Sequence, residues 1–365
     1  MKPARMFAFA RKEVLEIIRD PITVWIALFM PLVMLFLFGY ALSFDVKDAP
    51  LIIVDHDKSA ASRALSAQFL NTSYFRLADA PEDERVAEHA LMQGKARAVL
   101  VIPPQFGRRL TQGETTPVQF LVDGTYASTA AIVSAYGRAI IYAFPRGTLE
   151  LPVQPEVRVW YNPQLRSRNF IVPGLFAVIL MAFPPLLTAL AVAREKELGT
   201  IAQIYASPLT KTEFIVGKLF PYAVIAFLQL AIVLAAGFLW FKIPMHGSLV
   251  LLTALGLIYV LCTVSIGLLV STLVRTQVAA MLVTLIVTLM PSFLFSGFIY
   301  PVFTMPDFFQ GYSARIPTMY FVNISRGIVM RGAGLPEIWI NVVVLVVYTA
   351  VVLTLATWLF KKRIA

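Results

Sequence analysis

The sequence predicts an α-helical polytopic membrane protein of six transmembrane helices, with an α/β extracytoplasmic domain inserted between helices 1 and 2. Three observations predict this. Hydrophobic residues make up 58% of the chain and charged residues 14%, with mean hydropathy +0.75, whereas soluble domains carry roughly 25% charge. The apolar residues fall into six runs long enough to cross a hydrocarbon core of about 30 Å, free of Lys, Arg, Asp and Glu. Between the first two runs lies one long stretch of ordinary globular composition.

The expected order is a cytoplasmic interfacial helix at 1–20, a first span at 21–43, the inserted domain at 44–169 and a second span at 170–193. A cytoplasmic loop at 194–218 follows, then spans at 219–241, 249–273 and 278–300. Residues 301–337, with Arg315, Arg326 and Arg331, are too polar to cross and read as re-entrant or amphipathic helices at the outer surface. The last span covers 338–360, leaving a tail at 361–365.

The net charge of +10 is distributed asymmetrically. Segments before span one, between spans two and three, between four and five, and after six carry 13 basic and 6 acidic residues. The inserted segment is nearly balanced, with 14 basic and 13 acidic residues. This positive-inside pattern places both termini in the cytoplasm of a bacterial inner membrane. Anionic headgroups account for the basic excess, so it does not indicate nucleic acid.

Ahead of span one, Met6, Phe7, Ala10, Val14, Ile17 and Ile18 recur at helical spacing, with Arg11, Lys12, Glu13, Glu16 and Arg19 elsewhere around the helix. That is an amphipathic helix turning into the membrane at Asp20-Pro21. The apolar run after it exceeds a signal-peptide core. Cys262 stands alone inside span four, and His56, His89 and His246 have no ligand spacing, so neither a disulfide nor a metal site is expected.

In the inserted segment, apolar strands at 51–54, 74–77, 98–102 and 118–122 alternate with helical patterns, and 157–160 offers a closing strand. Asp55, Asp57 and Asp123 sit at strand ends, where α/β sheets place ligands but where Asp also serves as turn former and N-cap. No catalytic triad spacing or nucleophile elbow occurs.

The loop REKELGTIAQIYASPLTKTEFIVGK places a charged cluster, a Gly-Thr pair, an amphipathic turn and a Ser-Pro stop at a membrane surface. By composition it is either a plain interfacial loop or a partner-docking element. It resembles the coupling region of type 2 ABC permeases, which Glu195, Glu197, Gly199, Thr200, Ala206, Ser207 and Pro208 match in turn. FARKEVLEIIRDP resembles the family's N-terminal interfacial helix and SGFIYPVFTMP its exit from span five into a re-entrant outer segment, while VDHDKSAASR, AVLVIPPQFGRRL and VDGTYAS resemble the subgroup with a large domain after span one.

This resemblance implies two permease subunits, identical or related, above two ABC ATP-binding subunits, with ATP and Mg held by the latter. It assigns ATPase coupling to Arg194, Glu195, Lys196, Glu197, Gly199, Thr200, Ser207 and Pro208, with Arg11 and Glu13 on the first helix. The exit from span five, at Ser296, Gly297 and Pro301, becomes an outer gate. The implied function is ATP-driven efflux of drugs or other small amphipathic molecules, with lipid or glycan export as the alternative cargo class. The competing role is mechanotransmission or sensing through a periplasmic partner without transport. A periplasmic membrane-fusion adaptor is a further partner to be tested.

Independently of the resemblance, the chain lacks G-x-x-x-x-G-K-[ST], so it is not expected to hydrolyse ATP itself. Pro173, Pro184 and Pro185 are expected to interrupt span two, and Pro291 span five. With Pro184 and Pro185, the polar residues Thr188, Gln229, Thr284 and Thr288 either face a translocation path or make ordinary interhelical hydrogen bonds. Absence of intramembrane charge argues against proton coupling. The orientation predicts that a cysteine at Ser66 reacts with an impermeant thiol reagent applied outside, and one at Thr210 does not; the reverse pattern refutes it.

Overall fold

A computed structural model describes residues 3–42, 48–114, 116–125, 127–144, 161–162, 166–200 and 210–359. It separates into two compact units, Phe44–Arg158 and the remainder, Met1–Ser43 with Val159–Ala365. The larger unit is an α-helical polytopic membrane protein with, among the described residues, six helices long and apolar enough to span a bilayer.

Helix α1 (Pro3–Arg19) ends where Asp20 caps α2 (Pro21–Ala41), its carboxylate accepting from Thr23 N at 3.2 Å and Thr23 Oγ1 at 2.9 Å. Pro21 occupies the first turn of α2, where no intrahelical N–H is needed. The expected junction and the observed one therefore share the same physical signal.

At the centre is α7 (Ser167–Glu197), buried on nearly every side. Its three prolines do not interrupt it, contrary to expectation. Polar neighbours engage carbonyls around the prolines: Thr188 Oγ1 donates to Pro184 O at 2.9 Å, and Ser325 Oγ donates to Pro173 O at 2.8 Å. At 31 residues, α7 runs about 45 Å at 1.5 Å per residue, so its charged last turn projects beyond the hydrocarbon core. The expected loop at 194–218 is correspondingly shorter.

The chain resumes at α8 (Lys211–Ala235), where Thr210 and Glu213 form a reciprocal capping box. This helix starts inside the expected loop at 194–218, runs on into the span and ends in a π turn, Ala236–Trp240. Next is α9 (Leu249–Leu273), which packs on α7 so closely that a Cβ on Gly267 would lie 2.3 Å from Pro185 O. The fifth span comprises α10 (Gln277–Thr284), a π turn at Leu285–Leu289 and α11 (Met290–Phe295). Pro291 thus follows a rearranged turn instead of breaking the span.

Of the two readings of 301–337, re-entrant or lying on the surface, the structure departs from the second. A short α12 (Asp307–Ser313) leads into α13 (Pro317–Arg331), which does not lie along the surface. Phe321, Val322, Ile324, Ile328 and Val329 are buried in the main core, and α13 packs on α7 and α14 (Leu335–Leu359). Its polar residues are tolerated because they bond inward: Thr318 shares hydrogen bonds with Tyr259 at 3.1 Å and Ser292 at 2.7 Å.

Among the described residues the smaller unit has a four-stranded mixed sheet, ordered β2 (Phe75–Asp79), β1 (Ala49–Asp55), β3 (Ala98–Ile102) and β4 (Gln119–Val122). Strands β1, β2 and β3 are parallel, and β4 is antiparallel to β3. Alternate residues of β1 enter opposite cores: Leu51 and Ile53 pack with α3 (Ala60–Leu70) residues Leu65 and Phe69, while Ile52 and Val54 pack with Ala87 of α4 (Glu84–Met92). The remaining helices are α5 (Phe106–Thr111) and α6 (Ala127–Ala143). Asp55 accepts from Lys58 N and Ser62 Oγ, Asp57 from Gly107 N, and Asp123 from Thr125 N and Arg97, so all three tie turns together. The suggested strand at 157–160 lies outside the described residues.

The α7–α9 approach predicts that Gly267→Val, adding branched bulk against Pro185 O, costs about 1–3 kcal/mol by overpacking. Thermal unfolding in detergent measures it, and an unchanged midpoint contradicts the packing.

Candidate functional site

The four consecutive charges Arg194–Glu197 end α7, and each reaches a different element. Arg194 Nη1 donates to Asp20 Oδ2 at 2.8 Å, joining the α1–α2 junction. Glu195 joins α1 and α8: its oxygens lie 2.9 Å from Lys12 Nζ and 2.8 Å from Lys218 Nζ. Lys196 Nζ donates to Ser271 O and Val274 O at the end of α9. Glu197 accepts from Gln277 N at 2.8 Å, a favourable place for a carboxylate at the start of α10. One helix end therefore fastens α1, α2, α8, α9 and α10.

Glu195 sits in the innermost part of this hub. Lys218 is 1% exposed and bridges Glu195 and Glu13, the latter at 2.9 Å and also 1% exposed. Lys12 contacts Glu195, Glu13 and, on the rim, Glu16 at 3.1 Å. The inner group balances two ammoniums against two carboxylates, as burial requires. Burial pushes Glu13 above its usual range, further than Lys218 pulls it down, and the Glu195 charge pushes the same way. For Lys12, burial acts downward, but the Glu195 hydrogen bond and nearby carboxylates carry the ammonium above its ordinary value. Asp20 is held low: the Thr23 hydrogen bonds and Arg194 outweigh its slight burial.

Oxygens of Glu13, Glu16 and Glu195 lie close enough together to suggest a cation site. Lys12 and Lys218 already supply cationic nitrogen to these carboxylates, so the local chemistry is that of an ion-pair cluster.

The helix α1 that carries half of this cluster buries one face that its apolar stripe did not indicate. Phe9, Glu13 and Ile17 are buried, whereas Phe7, Val14 and Ile18 of the expected apolar stripe are exposed. Glu13 and Glu195 are therefore internal, and a direct contact of either with a partner requires correction. Arg11, Arg194, Glu197, Gly199 and Thr200 form the exposed rim, with Lys196 half-buried. Ser207 and Pro208 lie outside the described residues. Lys12 and Lys218 were missed; their signal is Glu13 at four-residue spacing between Phe9 and Ile17, an acid on an otherwise apolar face that demands a buried cation.

The residues suggested for a path are all buried inside this chain. Thr188 and Thr288 bond back to Pro184 O and Thr284 O, and Gln229 Nε2 donates to Ala27 O at 2.6 Å, tying α8 to α2. Gln229 Oε1 and Thr284 Oγ1 find no hydrogen-bond partner among the described residues. Interhelical bonding, the simpler of the two readings, accounts for Gln229. At the other end of α7, Ser296 is buried, Gly297 adopts a positive φ of 80°, and Pro301 is exposed.

A six-span bundle around one buried central helix, with an ion-paired hub at its end, is the framework of a multi-pass inner-membrane transport permease. The chain belongs to the ABC-2 family transporter proteins, whose family model matches residues 21–358. It is 33% identical over 368 residues to the probable multidrug ABC transporter permease YbhR of Escherichia coli (strain K12), covering 99% of each chain. With the probable multidrug ABC transporter permease YbhS of the same organism it shares 32% over 369 residues, 98% of this chain and 97% of that one. The inner membrane transport permease YhhJ of E. coli is 27% identical over 328 residues, 87% and 86% respectively. Membership of an ABC transporter family implies pairing with an ATP-binding subunit.

The hub makes a specific energetic prediction. Lys218→Met leaves Glu13 and Glu195 facing each other with Lys12 alone, costing about 3–5 kcal/mol. Glu13→Leu combined with Lys218→Met recovers more than half of the loss, read as thermal stability in detergent. Additive losses in the double variant contradict the pairing.

Proposed function

We propose that this chain is the permease subunit of an ATP-driven exporter, coupled through its α1–α7 end to a separate ATP-binding subunit that holds ATP and Mg. The observation that carries this reading is the hub. Six helices, α7 and the five it fastens, meet in one set of ion pairs and caps, and that set presents an exposed rim of Arg11, Arg194, Glu197, Gly199 and Thr200. A force applied to the rim reaches α2, α8, α9 and α10 without a flexible intermediary. Glu13, Glu195 and Lys218 position the rim from within and do not touch the partner.

In this proposal the hub faces the cytoplasm, residues 44–158 lie outside it, and two permease subunits share the path. The cargo is a drug or other small amphipathic molecule, a class supported by the relatives named multidrug permeases. Energetically, ATP can drive the spans only if the partner binds the rim more tightly in one conformation than in the other.

Gly199 offers a local test: its φ of 74° is forbidden to proline, and nothing crowds its Cβ direction. In proteoliposomes containing the complex, Gly199→Pro should lower substrate-stimulated ATPase activity several-fold with membrane insertion intact. Wild-type stimulation in that variant counts against the rim. Nucleotide-dependent activity of the wild-type complex with no movement of any amphipathic dye would instead favour mechanotransmission.

A further inference from the structure

About 25 residues up α7 from the hub, roughly 35–40 Å at helical rise, a second charge is placed in an unusual way. Arg326 projects from α13 towards α7, and its guanidinium lies 3.6 Å from the centre of the Phe170 ring. Nε donates to Phe170 O at 3.1 Å, Nη1 to Gly297 O at 2.8 Å and Nη2 to Phe298 O at 2.8 Å. Among the described residues no carboxylate pairs with it. The cation is held by backbone oxygens and an aromatic face alone, an arrangement sensitive to small movements of the segments supplying them.

Each segment is suited to the contact. The Gly297 and Phe298 carbonyls belong to the non-helical turn leaving span five, where no helical N–H claims them. Gly174, one turn above Phe170, leaves the space the guanidinium fills: a Cβ there would lie 2.7 Å from Arg326 Nη2 and from Phe298. A planar fork with divergent N–H groups reaches three carbonyls on two segments together, which an ammonium cannot match.

We infer that Arg326 is a positioning residue for transport: its guanidinium clamps the turn after span five onto the first turns of α7. Relative movement of those two segments requires the clamp to release its carbonyls. The inference rests on the transport reading above, since it assigns the clamp to the working cycle.

The test uses the full chain with its ATP-binding subunit in membranes, with Cys262→Ala as background and Ser296→Cys as reporter. Ser296 is 1% exposed and adjoins the clamped turn. With Arg326 intact, a small methanethiosulfonate reagent should label the reporter slowly and ATP should accelerate labelling. Arg326→Met should label at least about tenfold faster without ATP, as expected for loss of hydrogen bonds to a charged group, and should lose the ATP dependence. Arg326→Lys should restore part of the protection. Gly174→Ala, which keeps every charge but displaces the guanidinium, should behave like Arg326→Met and decides the matter if the latter inserts poorly. Unchanged labelling in Gly174→Ala and in correctly inserted Arg326→Met overturns the clamp. Faster labelling in both variants, with ATP having no effect on the intact protein, supports the clamp and counts instead against the transport reading.

Discussion

The ammonium of Lys218, enclosed between the carboxylates of Glu13 and Glu195, constrains much of the larger unit. A buried ion cannot simply lose its partner, because the desolvation penalty already incurred would stand uncompensated. α1, α7 and α8 are therefore not free to separate at this end. The remaining charges of the α7 terminus extend the constraint to α2, α9 and α10 through a side-chain pair, two carbonyls and one amide. Charge flanking the spans of a membrane protein is commonly ascribed to lipid headgroups, but here Lys12, Lys196 and Lys218 are engaged internally.

The two ends of α7 solve different problems. One end gathers opposite charges into a balanced set, which tolerates burial and resists separation. The other uses hydroxyls and a single guanidinium against backbone oxygen: Tyr259 donates to Ala177 O, Thr318 meets Ser292, and Arg326 takes three carbonyls. Neutral partners give weaker and more readily exchanged contacts than ion pairs. The first end is thus held by mutually dependent ion pairs and the second by one guanidinium whose three carbonyl partners carry no countercharge.

Sequence reading reached the spans because each is a charge-free apolar run, and the α/β unit because its strands alternate with helices. It also placed the Asp20-Pro21 junction, where one capping carboxylate and one proline carry the whole signal. It failed where burial overrode polarity. Arg315, Arg326 and Arg331 made this segment look like surface helices, since nothing local announces that distant carbonyls await Arg326. The prolines of α7 looked like breaks because each removes an intrahelical N–H, yet the helix runs through all three while enclosed by its neighbours. Glu13 was counted among outward-facing charges, although its spacing from Phe9 and Ile17 placed it on the buried face.

The π turn at Leu285–Leu289 has a geometric effect on span five. One extra residue in a turn rotates everything beyond it by about 100° relative to an unbroken α-helix. Ser292 lies just past that offset and faces Thr318 of α13. Had the same residues run on as an unbroken α-helix, its hydroxyl would point away from that partner by roughly a quarter of the helix circumference. Span five thus carries two phases of one pattern, split at the π turn, and deleting a single residue between Leu285 and Leu289 would bring the upper phase into line with the lower while leaving the span almost as apolar as before.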